Sequence, residues 1–171
     1  MNSVQILLKA PNFIAPTTLK HMTLYDDTLA LLQELIRNAC VNDLTPDSGN
    51  EVRNADTLEK FFEGTDAEIA RYESHPGRVS IVVTVAGDPE KEPLTLMGHT
   101  DVVPVDEPKW TKPPFDALIE DGKLYGRGAV DMLFITASMA AVTRKIAQEG
   151  NPGGTLAFVG MADEEIGRAH V

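Results

Sequence analysis

Residues 94–106 read LTLMGHTDVVPVD, and the fold and the chemistry of the chain are both inferred from this stretch. LTLMGH is a short apolar run, typical of a strand buried on both faces. The run ends at His99, and Asp101 follows two residues later. Because residues i and i+2 point the same way in extended backbone, Asp101 is expected to accept a hydrogen bond from the His99 ring. An imidazole and a carboxylate at the end of a buried strand suggest a functional site.

A second apolar strand and a long helix indicate the fold class. Residues 155–162 read TLAFVGMA, and a helix with an apolar stripe is predicted from Asp131 to about Glu149. The order strand, long crossover, strand favours parallel strands in one sheet. A hairpin with Asp121-Gly122 as its turn adds antiparallel pairing. We therefore expect an α/β fold, a three-layer sandwich with a mixed, partly parallel sheet.

The domain organisation follows from length and periodicity. A chain of 171 residues can form one domain with a sizeable core. Residues 1–23 show no clear period and are predicted to be a loose N-terminal extension, so the folded part is expected to be 24–171. Helical spacing of apolar residues starts near Asp26, with Asp26 or Asp27 as the expected cap. The single cysteine, Cys40, excludes an intrachain disulfide and a thiolate zinc cluster, and is predicted to be a core thiol.

Composition excludes several classes of function. The net charge of −11 argues against nucleic-acid binding, which needs clustered Lys and Arg. No window has the roughly 18 apolar residues of a membrane span. Residues 1–25 lack the features of a secretory leader, and we expect a cytoplasmic protein. The acidic segment 42–75, with nine Asp/Glu against three Lys/Arg, is interpreted as a solvated face.

Three separate stretches are expected to deliver polar groups to one rim of the sheet. In open α/β sheets, functional groups gather at the carboxyl ends of the strands. His99 ends one strand, Asp163, Glu164 and Glu165 follow the other, and Asp131 begins the helix between them. Imidazole with carboxylate oxygens suits Zn²⁺, and also Co²⁺ or Mn²⁺. One of the two glutamates is expected to bind metal and the other to polarise the attacking water.

Each element of this metal hypothesis has a simpler alternative. His99 taken alone fits a structural histidine, the DEE triplet fits a solvated turn, and Asp131 fits a helix N-cap. GRGAVD also places G-x-G before a helix, as in nucleotide-binding loops. In this chain, however, Asp131 stands where such loops have their third glycine, and the loop follows a hairpin instead of a parallel strand. The convergence of three stretches on one rim favours the metal site.

The motifs together resemble a known enzyme family. LTLMGHTDVVPVD, then Trp110 and PF (114–115), then DGKLYGRGAVDM and ADEEIG are similar to the co-catalytic zinc metallopeptidases. That family includes aminoacylase, acetylornithine deacetylase, succinyl-diaminopimelate desuccinylase and carboxypeptidase G. The resemblance covers about residues 24–171, with the sharpest matches in 96–132 and 161–167.

The resemblance implies a two-zinc amide hydrolase acting on N-acyl amino acids or dipeptides. It implies that His99 binds one zinc, that Glu165 binds the other, and that Asp131 bridges both, often with a cis peptide to the next residue. Glu164 would be the general base and later the general acid, and Asp101 would orient His99.

The sequence also departs from the family pattern. Leu133-Phe134-Ile135 stand where the family commonly has Lys-Gly-Gly. The family's further acidic ligand, its distal histidine ligand and its lid or dimerisation domain are not matched, so 24–171 is expected to be the amino-terminal portion of the catalytic domain. On this view the enzyme is incomplete at this length, a homo-oligomer is expected only of the complete protein, and a sheet edge and apolar helix faces are exposed. The alternative is an inactive truncated fragment that binds at most one metal weakly.

Overall fold

The computed structural model describes residues 5–7, 23–45, 47–150 and 152–165. The helices and strands within these ranges are, in chain order, β1 (Gln5–Leu7), α1 (Leu24–Arg37), α2 (Val52–Phe61), β2 (Glu68–His75), β3 (Arg78–Val85), β4 (Leu94–His99), β5 (Leu118–Glu120), β6 (Lys123–Tyr125), α3 (Phe134–Glu149) and β7 (Leu156–Met161).

The main sheet has the strand order β2-β3-β7-β4. β2 with β3 and β3 with β7 are antiparallel, whereas β4 with β7 is parallel and aligns His99 with Met161. The parallel pair is the expected result of a helical crossover from β4 to β7. The prediction of an α/β fold with a mixed, partly parallel sheet is confirmed.

The helices pack on one face of this sheet in the described part of the chain. Gly160 faces Leu58 of α2, and its partner in β4, Gly98, faces Thr136 of α3. The two helices therefore share a face, where Phe158 and its neighbours form one core cluster with both of them. The other face is only half-buried along β3 and β7. A third layer on that face stays a prediction.

The start of α1 corrects the predicted cap. The helix begins at Leu24, and its N-cap is Thr23 rather than Asp26 or Asp27. The Thr23 hydroxyl accepts from the Asp26 amide at 3.2 Å, and the Asp26 carboxylate accepts from the Thr23 amide at 3.0 Å. This reciprocal capping box leaves Asp26 in the first turn, where its charge also suits the helix dipole.

The start of α3 also differs from the prediction. The regular helix begins at Phe134, and its N-cap position is Leu133. Asp131 and Met132 have non-helical backbone angles, so Asp131 is not the N-cap of α3. The other end of the helix agrees with the sequence, because Gly150 caps it with a φ of +74°.

Gly98 lets α3 approach the sheet. Gly98 and Gly160 lie opposite each other in the parallel pair β4–β7. A Cβ atom at Gly98 would lie 2.5 Å from Thr136 Oγ1, which is closer than real contacts allow. The Thr136 hydroxyl instead donates to the carbonyl of His99 at 2.9 Å. The helix that follows Asp131 is thereby tied to the residue that ends β4.

A second, smaller sheet has the order β1-β6-β5. β5 and β6 form the predicted hairpin, and its turn residues Asp121 and Gly122 both have positive φ, as a type I′ turn requires. β1 pairs antiparallel with β6, although Gln5–Leu7 lies within the predicted loose extension. Residues 1–4 and 8–22 of that extension lie outside the described residues.

Strand β4 lies at an edge of the main sheet as far as the chain is described. Its residues Leu94 and Met97 are 57% and 58% exposed, and Ile135 of α3 is 46% exposed. An edge strand and apolar side chains are thus accessible, as expected. No helix among the described residues combines the length and the apolar character that a membrane span needs.

Candidate metal centre

The His99 ring is held between two sets of acidic groups. The side chain is only 5% exposed. Its Nδ1 atom lies 3.0 Å from the backbone oxygen of Asp101 and 3.5 Å from Asp101 Oδ1. Its Nε2 atom lies 3.5 Å from Asp131 Oδ1 and 3.7 Å from Glu164 Oε2. One ring nitrogen therefore faces the protein interior and the other faces the carboxylates of the rim.

The structure brings together all five residues singled out in the sequence. Asp131 and Glu164 are 83% and 45% exposed in their side chains, so both carboxylates are open to solvent. Glu165 donates its backbone N–H to Asp101 Oδ2 at 3.0 Å. Its carboxyl group is close enough to His99 and Asp131 for the charges of both to affect its pKa. The peptide bond from Asp131 to Met132 is cis, as the family resemblance implies.

Several carboxylates lie close together around the His99 ring, and the pKa values of the ring and of the carboxylates are shifted as a result. Burial disfavours the charged His99 ring, but hydrogen bonds to Asp101 and the charges of Asp101 and Glu165 outweigh it and raise the pKa of His99 to about 9. Burial opposes the ionisation of Asp101, yet hydrogen bonds from His99, Asn42 and the following backbone amides lower its pKa. Burial, with the neighbouring carboxylates, raises the pKa of Glu165 despite the attraction of His99. A cation placed among these groups would relieve their repulsion.

The donor atoms fit a divalent metal in type and in pairwise spacing. Two nitrogen or oxygen ligands at about 2.1 Å from a tetrahedral metal lie about 3.4 Å apart. The separation of the two proposed donors His99 Nε2 and Asp131 Oδ1, 3.5 Å, is close to that value. Within the described ranges, no group of three or more His, Cys, Asp or Glu side chains has the arrangement of a finished site. The residues therefore supply ligand pairs rather than a complete coordination sphere.

Four polar residues that the sequence analysis did not single out as a group lie beneath the rim. They form the buried polar network, which is defined as Asn42, Glu51, Arg78 and Asp163. Asn42 and Glu51 are fully buried, and Arg78 is 4% exposed. The available signal was an arginine that opens the β-branched strand RVSIVVTV, an unusual place for a charge. Glu51 is the exception to the predicted solvated face, since most acids of 42–75 are exposed.

The glycines of GRGAVD have packing roles. A Cβ atom at Gly126 would lie 2.9 Å from the Ile36 side chain, and one at Gly128 would lie 2.3 Å from Val102 Cγ1. Gly128 also has a φ of +75°, which side chains disfavour. These contacts account for both glycines without a nucleotide.

A comparison with protein families identifies the sequence pattern. Residues 95–170 match the model described as peptidase family M20/M25/M40. This segment contains the strand ending at His99, the loop with Asp131 and the turn with Glu164 and Glu165. The resemblance to the co-catalytic metallopeptidases is confirmed.

Solved structures of peptidases share the fold. An M20 family metallo-carboxypeptidase from Sulfolobus solfataricus is 23% identical with a TM-score of 0.65, over 83% of this chain and 32% of that one. Human carnosine dipeptidase 1 is 25% identical with a TM-score of 0.61, over 84% and 33%. A di-peptidase from Saccharomyces cerevisiae is 22% identical with a TM-score of 0.59, over 83% and 33%. The chain thus spans about a third of the length of these three structures.

Proposed function

We propose that this chain, with its confirmed resemblance to the M20/M25/M40 peptidases, carries the rim of a metal-dependent site that hydrolyses amide bonds. The observation that carries the proposal is the position of His99 Nε2, which faces Asp131 at 3.5 Å and Glu164 at 3.7 Å. These side chains come from three distant parts of the chain. An imidazole and carboxylates on an open rim match the ligand chemistry of zinc, with cobalt or manganese as alternatives.

We assign His99, Asp131 and Glu165 as the metal ligands. His99 and Glu165 would serve the two sides of a pair of metal ions, and Asp131 would bridge them. The solvent exposure of Asp131 supports this role, because a bridging carboxylate must keep both oxygens free of protein partners. Bound metal would supply a polarised carbonyl and a water of lowered pKa.

Glu164 is assigned as the general base and later the general acid. Its half-exposed carboxylate accepts a proton from water as the water oxygen bonds to the carbonyl carbon. It then gives that proton to the amide nitrogen as the C–N bond breaks. The products are a carboxylic acid and an amine, and Glu164 returns to its ionised form.

Asp101 is assigned as the group that orients His99. Both its backbone oxygen and its carboxylate face Nδ1, which leaves Nε2 directed to the rim. A ligand histidine whose second nitrogen is held in this way keeps one tautomer and one ring orientation.

The substrate class is proposed to be N-acyl amino acids or dipeptides. Two observations support it: the family match over the residues of the rim, and the dipeptidases and metallo-carboxypeptidase among the similar structures. The rim is open rather than enclosed, so a small substrate can reach Glu164 and Asp131 directly.

The test combines metal content with hydrolysis by the 171-residue chain. Zinc and cobalt binding are measured by calorimetry, and release of free amine is measured on N-acetyl amino acids and on dipeptides. The variants are His99→Gln, Glu164→Gln and, as a matched control, Glu63→Gln, which changes an exposed glutamate just after α2. We expect His99→Gln to lose metal and turnover, Glu164→Gln to lose turnover, and Glu63→Gln to resemble the unaltered chain.

The outcomes separate enzyme from metal-binding chain. Turnover that needs metal and Glu164 supports the proposal. Metal bound at His99 without turnover on any of these amides would leave a metal-binding protein and overturn the catalytic part. Equal metal affinity in His99→Gln and the unaltered chain would overturn the site itself.

A further inference from the structure

We propose that Arg78 is a positioning residue of this site, acting through Asn42 on the Asp101 carboxylate behind His99. The inference rests on the proposed function, because it deepens the account of the same site. It assigns a role to a buried arginine that touches none of the assigned ligands and to the amide that it holds.

Arg78 lies beneath the rim, in the buried polar network. It opens β3, and its side chain is 4% exposed. One guanidinium nitrogen, Nη1, lies 2.9 Å from Glu51 Oε1 and 3.3 Å from Asp163 Oδ1. The other, Nη2, donates to Asn42 Oδ1 at 3.2 Å and to the loop oxygens of Thr45 and Ser48. The planar fork thus connects one strand with one helix start and two loops, which a lysine with a single nitrogen cannot do.

Asn42 converts the arginine contact into a defined orientation of its amide. Because Oδ1 accepts from Arg78, and more weakly from the Leu44 amide at 3.4 Å, the Nδ2 group must point the other way. Nδ2 donates to Asp101 Oδ2 and to Asp163 Oδ1, both at 2.9 Å. A flipped amide would present its oxygen to two carboxylates. Arg78 therefore selects the orientation in which Asn42 binds Asp101.

Asp101 passes this restraint to His99. The carboxylate is fully buried, and its Oδ2 atom is held by Asn42 and by the backbone N–H of Glu165 at 3.0 Å. The Oδ1 atom is then left facing His99 Nδ1. Rotation of the Asp101 carboxylate would remove the charge that lies 3.5 Å from Nδ1 and leave only the Asp101 backbone oxygen, at 3.0 Å, to hold the ring.

A second branch restrains the turn that bears the two glutamates. Asp163 has a φ of +63°, a strained value for a residue with a side chain. Its carboxylate accepts from Arg78 and Asn42, and its backbone N–H donates to Glu51 Oε1 at 3.3 Å. Glu164 follows directly in sequence. The same arginine therefore fixes both the histidine side and the glutamate side of the rim.

Stability alone does not account for this arrangement. Buried ion pairs are often no more stabilising than apolar residues of the same volume. Here burial raises the pKa of Glu51 despite the nearby Arg78, and Glu51 Oε2 has no hydrogen-bond partner among the residues that the structure describes. A set of polar groups this costly is better explained by the geometry that it imposes on Asp101 and on the turn.

The experiment measures Co²⁺ affinity and the visible spectrum of bound Co²⁺ in the 171-residue chain. The variants are Asn42→Ala, Arg78→Lys and their combination. Arg71→Lys is the matched control, since Arg71 lies on the neighbouring strand β2 and pairs with Asp56 and Glu59 at the surface. Asn42→Ala leaves the Arg78–Glu51 pair intact, so it isolates the link to Asp101.

We expect Asn42→Ala and Arg78→Lys each to weaken Co²⁺ binding by about 10- to 100-fold and to shift the spectrum. The double variant should lose less affinity than the product of the two single losses, because the path from Arg78 through Asn42 to Asp101 is shared and only the separate contacts with Asp163 add. Arg71→Lys should leave affinity and spectrum unchanged. Folded Asn42→Ala and Arg78→Lys chains that bind Co²⁺ as the unaltered chain does would overturn the proposal. If Arg78→Lys does not fold, Asn42→Ala decides; failure of both to fold assigns them to folding and overturns the positioning role.

A measurement without metal separates this inference from the proposed function. Imidazole ¹H–¹⁵N spectra of the metal-free chain report the His99 Nδ1 proton, with His99→Gln identifying the signal. Asn42→Ala should speed exchange of that proton with water by at least about tenfold, and Arg71→Lys should not. If the unaltered chain binds no Co²⁺, the metal site fails, yet faster exchange in Asn42→Ala still supports the positioning role and unchanged exchange overturns it.

Discussion

The rim and the buried polar network beneath it use the same side-chain chemistry in opposite environments. Asp131 and Glu164 on the rim are 83% and 45% exposed, whereas Asn42 and Glu51 of the network are fully buried. Rim carboxylates have water as a partner and are free to take a ligand. The buried groups must be satisfied by one another, so their positions are fixed by folding.

This difference indicates a division between binding and positioning. Substitutions on the rim should change what the chain binds with little effect on stability, because exposed groups have few protein partners. Substitutions in the network should change stability first, because each one leaves a buried charge or amide unpaired. Variants of the rim and of the network can measure how sharp this division is, and the largest effect is expected in the network.

Removing one partner of the buried ion pair should have the largest effect. Glu51→Ala leaves the Arg78 guanidinium without its closest carboxylate, and we expect a loss of about 3–5 kcal/mol in the free energy of unfolding. Asp131→Asn, on the rim, should change it by less than about 0.5 kcal/mol. Urea unfolding in the presence of a chelator measures both. Similar losses in the two variants would erase the distinction between rim and network.

Metal should stabilise the chain through the rim. With Zn²⁺ at 100 times its dissociation constant, we expect the free energy of unfolding to rise by about 2.7 kcal/mol, and a chelator should reverse the gain. His99→Gln and Glu165→Gln should reduce this gain, while Glu164→Gln should keep it. Thermal unfolding with and without Zn²⁺ measures the effect. The opposite result for the two glutamates would exchange their assigned roles.

The reactivity of Cys40 measures how well the protein interior excludes solvent. Burial raises the pKa of its thiol from 9.0 to about 11, so the reactive thiolate is about 100-fold scarcer than in an exposed cysteine. Alkylation by iodoacetamide at pH 8 should be slower by at least that factor in the native chain than in urea. The neutral thiol also stabilises the fold below pH 9, and this contribution is lost as the pH rises through 11. A loss of stability over that range that is equal in Cys40→Ala would contradict the assignment.

Among the ion pairs, the smaller effect is expected at the other arginine of the antiparallel pair β2–β3. Arg71 lies 2.7 Å from Asp56 and 2.8 Å from Glu59, but its side chain is 34% exposed. Arg71→Met should therefore cost less than about 1 kcal/mol, and less again at high salt. Comparison with Glu51→Ala shows what burial adds to an ion pair of similar length. A cost of several kcal/mol at Arg71 would mean that burial is not the deciding factor.

Much of the fold could be predicted because its signals are local. Apolar runs gave β4 and β7, the crossover between them predicted parallel pairing, and Asp121-Gly122 predicted the hairpin turn. The five candidate residues could be singled out because each stands directly at the end of such an element or in the loop before α3. Local patterns also set the limits: Thr23 rather than Asp26 caps α1, since only the backbone geometry distinguishes the two.

The buried polar network could not be predicted in the same way. Asn42, Arg78 and Asp163 are distant in sequence, and each taken alone is typical of a loop or a surface. Glu51 lies among exposed acids, so composition placed it on a solvated face. The contacts among these residues depend on how β3, the start of α2 and the turn after β7 meet, which no periodicity in the sequence records.

The missing side chain at Gly98 has a consequence for how this site tolerates mutation. Thr136 occupies the space where a Cβ atom would lie, at 2.5 Å, and bonds the His99 carbonyl. Even alanine would displace the Thr136 hydroxyl from the His99 carbonyl or push α3 outwards, and either change would loosen the link between the imidazole and the loop with Asp131. The distance between the two candidate ligands, His99 and Asp131, therefore depends on a residue that has no side chain. A substitution at Gly98 would disable the site although all of its reactive side chains were still present.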